Sequence, residues 1–200
     1  MLEIKKYGKF SNFEKNKKKK QIILCNSFRP QGEYLNSLKY RFNGNYKKIP
    51  NYLITKSGVV LNFISDDSYG NFFSESEVNK HSIVICLENL GWLQKTPLGL
   101  SHSNWIGDIY SKDIFEKKWR SKIFWEPYTK EQINSLIELS KKLLKKFSID
   151  NKFIGHNTRV DGVKLFNGIV CRSNFSDKFL DLNPSFEYEY FKKEIENYER

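Results

Sequence analysis

Few side chains in this 200-residue sequence are suited to metal or nucleophilic chemistry. They are three cysteines and three histidines, at positions 25, 86 and 171 and at 81, 102 and 156. No CxxC or HExxH pair is present, and an odd, sparse set of cysteines argues against a disulfide framework and for a reducing compartment. His81 and His102 lie in polar stretches where solvation is expected. His156 follows an apolar run, where a histidine is either a functional residue or a structural one that hydrogen-bonds within a turn. Cys25 and Cys86 lie within apolar runs, as expected of small apolar residues in a buried sheet.

Short apolar runs predict the strands of that sheet. They cover residues 21–25, 52–55, 59–64, 82–88 and 153–155, and a Lys-Ser-Gly turn joins the second and third into a hairpin. Helix 130–147 is the clearest helix, because its apolar residues share one face and Thr129 with Gln132 forms a capping box. Helices are also expected over 33–41 and 187–198. The pattern predicts a single α/β domain with a mixed central β-sheet flanked by helices.

Polar segments separate these elements. Residues 65–81 are expected to form a surface loop. Residues 91–127 hold all four tryptophans and are expected to be irregular, either as a functional segment or as an insertion packed on the surface. Residues 1–20 are interpreted as a basic lead-in to a domain over 21–200. Within it, the run Lys17–Lys20 is expected to be a solvated face rather than a binding arm.

Composition limits the classes of partner. Hydrophobic residues make up 39% of the chain and aromatic residues 16%, which is typical of a globular protein whose aromatics fill a core or line a groove. The net charge of +11 favours polyanions such as nucleic acid, anionic membranes or acidic wall polymers. No nucleic-acid-binding signature accompanies the charge, no apolar run reaches 18 residues, and the first residues lack a signal-peptide core. We therefore expect no membrane span and a cytoplasmic location.

Six sequence pieces occur in the order found in one enzyme family. They are Ile22–Ser27, Tyr52–Gly58, Ser82–Asn89, Tyr128-Thr129-Lys130-Glu131-Gln132, Gly155-His156 and Asp181-Leu182-Asn183-Pro184-Ser185-Phe186. Together they resemble the zinc-dependent N-acetylmuramoyl-L-alanine amidases, whose fold is shared with peptidoglycan recognition proteins. The resemblance covers about residues 21–186 and implies zinc-assisted hydrolysis of the amide between muramic acid and L-alanine.

The resemblance also implies a site, which departs from the family pattern. His156 matches the second metal histidine, Asp181 matches the third ligand with Asp177 as a rival, and Cys25 stands where the first histidine is expected. Cys86 occupies the position of the general-base glutamate, and Glu88, two residues along the strand, is the proposed replacement. Pro50 occupies a position before the hairpin where some family members have tyrosine. Asn51 occupies the following position, where the family has histidine or phenylalanine. A longer segment over 157–180, expected to be an irregular insertion, makes the assignment of Asp181 less secure.

Three functions follow from the resemblance. The first is a peptidoglycan amidase, phage-lysin-like or cytoplasmic, with a zinc site of Cys25, His156 and Asp181 and with activity weak or lost. The second is a binding module for peptidoglycan or its muramoyl-peptide fragments, and the third is a structural virion protein that uses the fold as a scaffold. Bound zinc distinguishes the first from the other two.

Overall fold

A six-stranded mixed sheet forms the centre of the structure, a computed structural model that describes residues 2–8 and 10–198. Eleven strands occur in this part of the chain, and the central sheet takes β1 (Ile4–Lys6), β2 (Gln21–Asn26), β3 (Tyr52–Ile54), β4 (Val60–Asn62), β5 (Ser82–Leu87) and β11 (Gly168–Cys171). Their order is β1-β4-β3-β5-β2-β11. The β3–β4 hairpin is antiparallel and the other neighbours are parallel, so the expected mixed sheet is confirmed.

One predicted strand lies at the margin of this sheet. In the stretch 153–155 only Phe153 pairs, through a single bridge to Ile169. The edge position beside β2 belongs instead to β11, within the segment 157–180 that was expected to be irregular. All four residues of β11 are buried, but the three apolar residues between Gly168 and Arg172 are too few to show a strand period.

Helices cover both faces of the sheet. They are α1 (Gln31–Tyr40), α2 (Ser76–His81), α3 (Lys130–Phe147) and α4 (Tyr188–Glu196). Helix α3 has the predicted bounds and the predicted capping box, in which the Thr129 hydroxyl accepts from the Gln132 N–H at 3.1 Å. The stretch 65–81, expected to be a loop, contains α2.

Alternation along β2 assigns its side chains to the two faces. Ile22 and Leu24 join α3 and α4 in the larger core cluster. Cys25 points to the opposite face and packs with Tyr34 and Leu38 of α1, and Ile23 lies on that face too, in a smaller cluster. A fully buried parallel strand of this kind is apolar on both faces.

The tryptophan-rich segment 91–127 is a second sheet, so the expectation that it is irregular was wrong. Its antiparallel strands are β6 (Trp92–Lys95), β7 (His102–Ser103), β8 (Ile109–Tyr110), β9 (Phe115–Trp119) and β10 (Lys122–Trp125), in the order β8-β7-β6-β10-β9. Trp125 is fully buried and donates its indole N–H to the Lys117 carbonyl at 2.8 Å. The buried indole explains how such short strands stay together.

The N-terminal lysine run is not wholly solvated. Lys19 is buried, and its ammonium donates to the carbonyls of Lys80 and Ser82 at 3.0 and 3.1 Å. Since β1 pairs with β4, part of the expected lead-in belongs to the sheet. Among the described helices, none combines the length and the apolar character needed to span a bilayer.

Candidate functional site

Two cysteines meet at the centre of the sheet. Cys25 of β2 and Cys86 of β5 are paired in register, are fully buried, and hold their Sγ atoms 2.7 Å apart. Burial raises the pKa of the Cys25 thiol, and its hydrogen bond to Cys86 raises it further. The hydroxyl of Tyr34 lies 3.4 Å from the Cys86 sulfur and closes this site from the side of α1. Because a metal ligand must be a thiolate, a neutral buried Cys25 is poorly suited to bind zinc.

Asp181 is fully buried and already has a cationic partner. Arg172 Nε lies 3.0 Å from one carboxylate oxygen and 2.9 Å from the other, and the second oxygen also accepts the Asn26 N–H at 3.0 Å. Burial raises the pKa of Asp181, and Arg172 opposes that shift. Burial would lower the pKa of Arg172, but the charge and hydrogen bond of Asp181, together with the neighbouring Cys25 and Cys86, raise it, so the guanidinium stays charged. The carboxylate that matches a metal ligand is thus neutralised by an arginine.

His156 is exposed, whereas Asp181 is fully buried. The Nδ1 atom of His156 lies 2.7 Å from the Thr158 hydroxyl. Throughout residues 2–8 and 10–198, no three His, Cys, Asp or Glu side chains are grouped so as to hold a metal ion. The residues present do not fit a zinc ion in this arrangement, and a Cys25–His156–Asp181 centre remains a prediction.

Glu88 is held by the backbone. Its two carboxylate oxygens accept the N–H groups of Gln31, at the start of α1, and of Lys56, in the hairpin turn, each at 2.8 Å. A carboxylate interacts favourably with the N-terminal end of a helix dipole, and here Glu88 joins two structural elements. Its proposed role as a general base stays a prediction.

The remaining sequence candidates have structural partners. Asp177 is exposed and pairs with Arg120 at 3.1 Å. Asn51 is buried, accepts the Val84 N–H at 2.9 Å and donates to the carbonyls of Ser65 and Ser68. The tyrosine position occupied by Pro50 is buried as well.

A groove of about 790 Å³ opens beside Arg172. Four phenylalanines line it, and we call it the aromatic groove: Phe72, Phe73, Phe175 and Phe179. The Phe73 ring centroid lies 4.8 Å from that of Phe175 and 6.4 Å from that of Phe179. Its cations are Lys48, Arg159, Lys164 and Arg172, and its carboxylates are Glu75 and Asp161. The groove therefore offers apolar walls and an excess of positive charge.

The second sheet fixes one wall of the groove. Arg120, in the turn between β9 and β10, donates to the carbonyls of Ser176, Asp177 and Phe179, with 2.7 Å to that of Asp177. These bonds hold the loop that carries Phe179, whose ring centroid lies 4.7 Å from the Arg172 guanidinium carbon. Segment 91–127 thus positions the loop beside the buried ion pair.

Residues 14–168 match the family model described as N-acetylmuramoyl-L-alanine amidase. The chain belongs to this amidase family. The matched range includes Cys25, Cys86, Glu88 and His156 and ends before Arg172 and Asp181. No curated protein sequence matches the chain closely enough to count as a relative.

Solved amidase-family structures share the fold. The amidase LysC from Clostridium intestinale has a TM-score of 0.50 and 14% identity, covering 96% of this chain and 97% of its own. The hydrolase AmiA from Staphylococcus aureus, in complex with its ligand, has a TM-score of 0.57 and 10% identity, covering 98% and 82%. The amidase AmiD from E. coli, in complex with anhydro-N-acetylmuramic acid-L-Ala-D-γ-Glu-L-Lys, has a TM-score of 0.54 and 16% identity, covering 93% and 60%.

Sequence reasoning missed Arg172. The residue directly follows β11, a strand that was itself not predicted, and it reaches Asp181 from the first position of a short 3-10 helix, Arg172–Asn174. A cation directly after the buried run Ile169–Cys171 is the one local signal that could have indicated it.

Proposed function

We propose that this amidase-family chain acts on bacterial peptidoglycan, binding its muramoyl peptides in the aromatic groove, with hydrolysis of the muramoyl–L-alanine amide weak or lost. Membership of the amidase family supports the substrate class. The observation that carries the loss of hydrolysis is the Arg172–Asp181 pair, which neutralises the carboxylate matching a metal ligand.

Proton transfer would also be impaired. The position of the family's general base holds Cys86, which is fully buried and 2.7 Å from another thiol. A positioned acid or base contributes about 10²–10⁴-fold to a rate. Any remaining hydrolysis is therefore expected to be slower than that of an intact amidase by at least this factor.

Binding does not require the missing groups. The four phenylalanines supply apolar contact for sugar and peptide, and the net charge of +11 attracts an anionic wall. Attraction between exposed charges is screened over about 10 Å at 0.1 M salt, so groove binding and general charge attraction can be separated experimentally.

The test combines three measurements on the purified chain. Zinc content is measured by plasma mass spectrometry, release of muramoyl peptides by chromatography, and binding by pelleting with peptidoglycan at low and high salt. We expect well under one zinc per chain, little release, and pelleting that soluble muramoyl peptide reverses. Stoichiometric zinc with rapid release would overturn the proposed loss of hydrolysis.

A matched pair of variants tests the groove. Phe179→Leu removes an aromatic wall, whereas Phe115→Leu makes the same change on β9 at a side chain that is 37% exposed and outside the groove. Only Phe179→Leu is expected to weaken competition by soluble muramoyl peptide. Pelleting that salt abolishes and that neither variant nor competitor affects would indicate charge attraction alone.

A further inference from the structure

Arg172 has hydrogen-bonding capacity that the protein does not use. A guanidinium carries five N–H donors, and the Nε donor is directed at Asp181. Within the described part of the chain, Nη1 and Nη2 have no hydrogen-bond acceptor, although the side chain is only 19% exposed. Arg172 lines the aromatic groove, so these terminal nitrogens are the donors available to a ligand there.

The surroundings hold the guanidinium in place and restrict its hydration. Its central carbon lies 4.7, 5.6 and 5.8 Å from the ring centroids of Phe179, Phe28 and Phe72. Aromatic faces attract a guanidinium but accept no conventional hydrogen bond from its edge. The bond from Nε to Asp181 then fixes its orientation, which reduces the entropy lost when a ligand binds.

The other charged side chains of the groove do not compete with an anion for the terminal nitrogens of Arg172. Lys164 pairs with Glu75 at 2.7 Å and Arg159 with Asp161 at 3.2 Å, so both carboxylates lining the groove have partners. Lys48 adds one more exposed cation. A planar guanidinium with two free terminal nitrogens matches a carboxylate, which accepts two parallel N–H bonds.

We propose that Nη1 and Nη2 of Arg172 bind a free carboxylate on the peptide of the ligand. The inference rests on the proposed function and specifies the chemical group that the aromatic groove recognises. The guanidinium then links two anions: the buried Asp181 on the Nε side and the ligand carboxylate on the outer side. Arginine thereby takes part in ligand binding at a place where a metal ion does not fit.

The test compares acid and amide forms of one ligand by titration calorimetry. The acid is anhydro-N-acetylmuramic acid-L-Ala-D-γ-Glu-L-Lys, in which the γ-linkage leaves the α-carboxylate of glutamate free, and the amide form carries carboxamides at its peptide carboxyl groups. Hydrogen bonds to charged groups contribute enough that the acid should bind at least about tenfold more tightly. Equal affinities would overturn the inference and leave peptidoglycan binding intact.

Substitutions test whether Arg172 causes the preference for the acid form over the amide form. The double variant Arg172→Gln, Asp181→Asn removes both charges together and leaves a neutral hydrogen-bonding pair, so it should bind acid and amide alike. Arg172→Lys keeps the charge without the planar fork and should lose most of the preference. Lys178→Gln removes an exposed charge outside the groove and should keep it. A preference retained by the double variant would place the carboxylate elsewhere.

A second readout covers the case in which neither muramoyl ligand binds, which would refute the proposed function. The guanidinium ¹⁵N signals of Arg172 are then followed by NMR during titration with N-acetyl-L-Ala-γ-D-Glu. A saturable shift that the double variant lacks supports a carboxylate site independent of the sugar. An unchanged spectrum overturns the inference as well.

Discussion

Replacing Arg172 by glutamine would leave the Asp181 carboxylate buried without a cation. Asp181 is fully buried, and in that variant it keeps the neutral Asn26 N–H at 3.0 Å as a hydrogen-bond donor but has lost its charged partner. Removing one partner of a buried ion pair costs about 3–5 kcal/mol, because the remaining charge is desolvated and uncompensated. Since Arg172 is 19% exposed, we expect a loss near the lower limit, about 3 kcal/mol of unfolding free energy at pH 7.

Urea unfolding of a double-mutant cycle measures this directly. Asp181→Asn alone should cost about 1–3 kcal/mol, because the arginine can still reach water through the groove. The double variant should lose less than the sum of the single variants, with a coupling energy of about 1–3 kcal/mol. The matched control is Arg159→Gln, whose partner Asp161 is 93% exposed, so that its loss should stay below about 1 kcal/mol.

The unfolding free energy of the Arg172→Gln variant should depend on pH with a defined sign. Burial raises the pKa of Asp181 even with Arg172 present, and loss of the arginine raises it further. The folded Arg172→Gln variant then binds more protons than its unfolded chain above the ordinary aspartate pKa, so its stability falls as the pH rises toward neutrality. An Arg172→Gln loss as small as that of Arg159→Gln, or additive single losses, would refute the ion-pair reasoning.

Three further changes have defined outcomes. Burial lowers the pKa of Lys19 from 10.5 to about 8, so between these pH values the folded chain binds fewer protons than the unfolded chain and gains stability as the pH rises. The difference in thermal unfolding midpoint between the wild type and Lys19→Met should therefore shift in favour of the wild type between pH 7 and about pH 9.5. A difference that does not change with pH would contradict this prediction. Thr129→Ala removes the hydroxyl that caps α3 at the Gln132 N–H and should cost about 1 kcal/mol in urea unfolding; no change would mean that the cap contributes nothing. Cys86→Ala should cost about 1 kcal/mol by leaving a small cavity beside Tyr34 and leave peptidoglycan binding unchanged; lost binding would assign the thiol a direct role.

Local sequence patterns were sufficient to predict the elements in which buried residues recur with a helical or strand period. Helix α3 has an apolar face and a capping box within a single stretch of sequence, so both its bounds followed from the residues. The strands of the second sheet are different: the residues Phe115 to Lys118 of β9 are all exposed. Pairing with β10 rather than alternation defines that strand, and pairing is a tertiary property.

The site was less predictable than the fold. Asp181 could be selected from its sequence context, but its partner Arg172 depends on how the loop after β11 returns to the sheet. Cys25 and Cys86 were recognised as departures from the family pattern, whereas their contact follows from the β2–β5 register. Which groups neutralise each other is decided by distances between elements that are far apart in sequence.

The position of β2 affects the order in which the chain can fold during synthesis. Its pairing with β5 can form early, but its other neighbour is β11, with Gln21 paired to Gly168. At about 5–20 residues per second, the ribosome needs on the order of ten seconds to make the residues in between. Throughout that time, the strand that holds Ile22, Ile23 and Leu24 presents an open edge to other chains. We therefore expect the nascent chain to be most prone to strand-to-strand association with other chains until residue 171 has emerged.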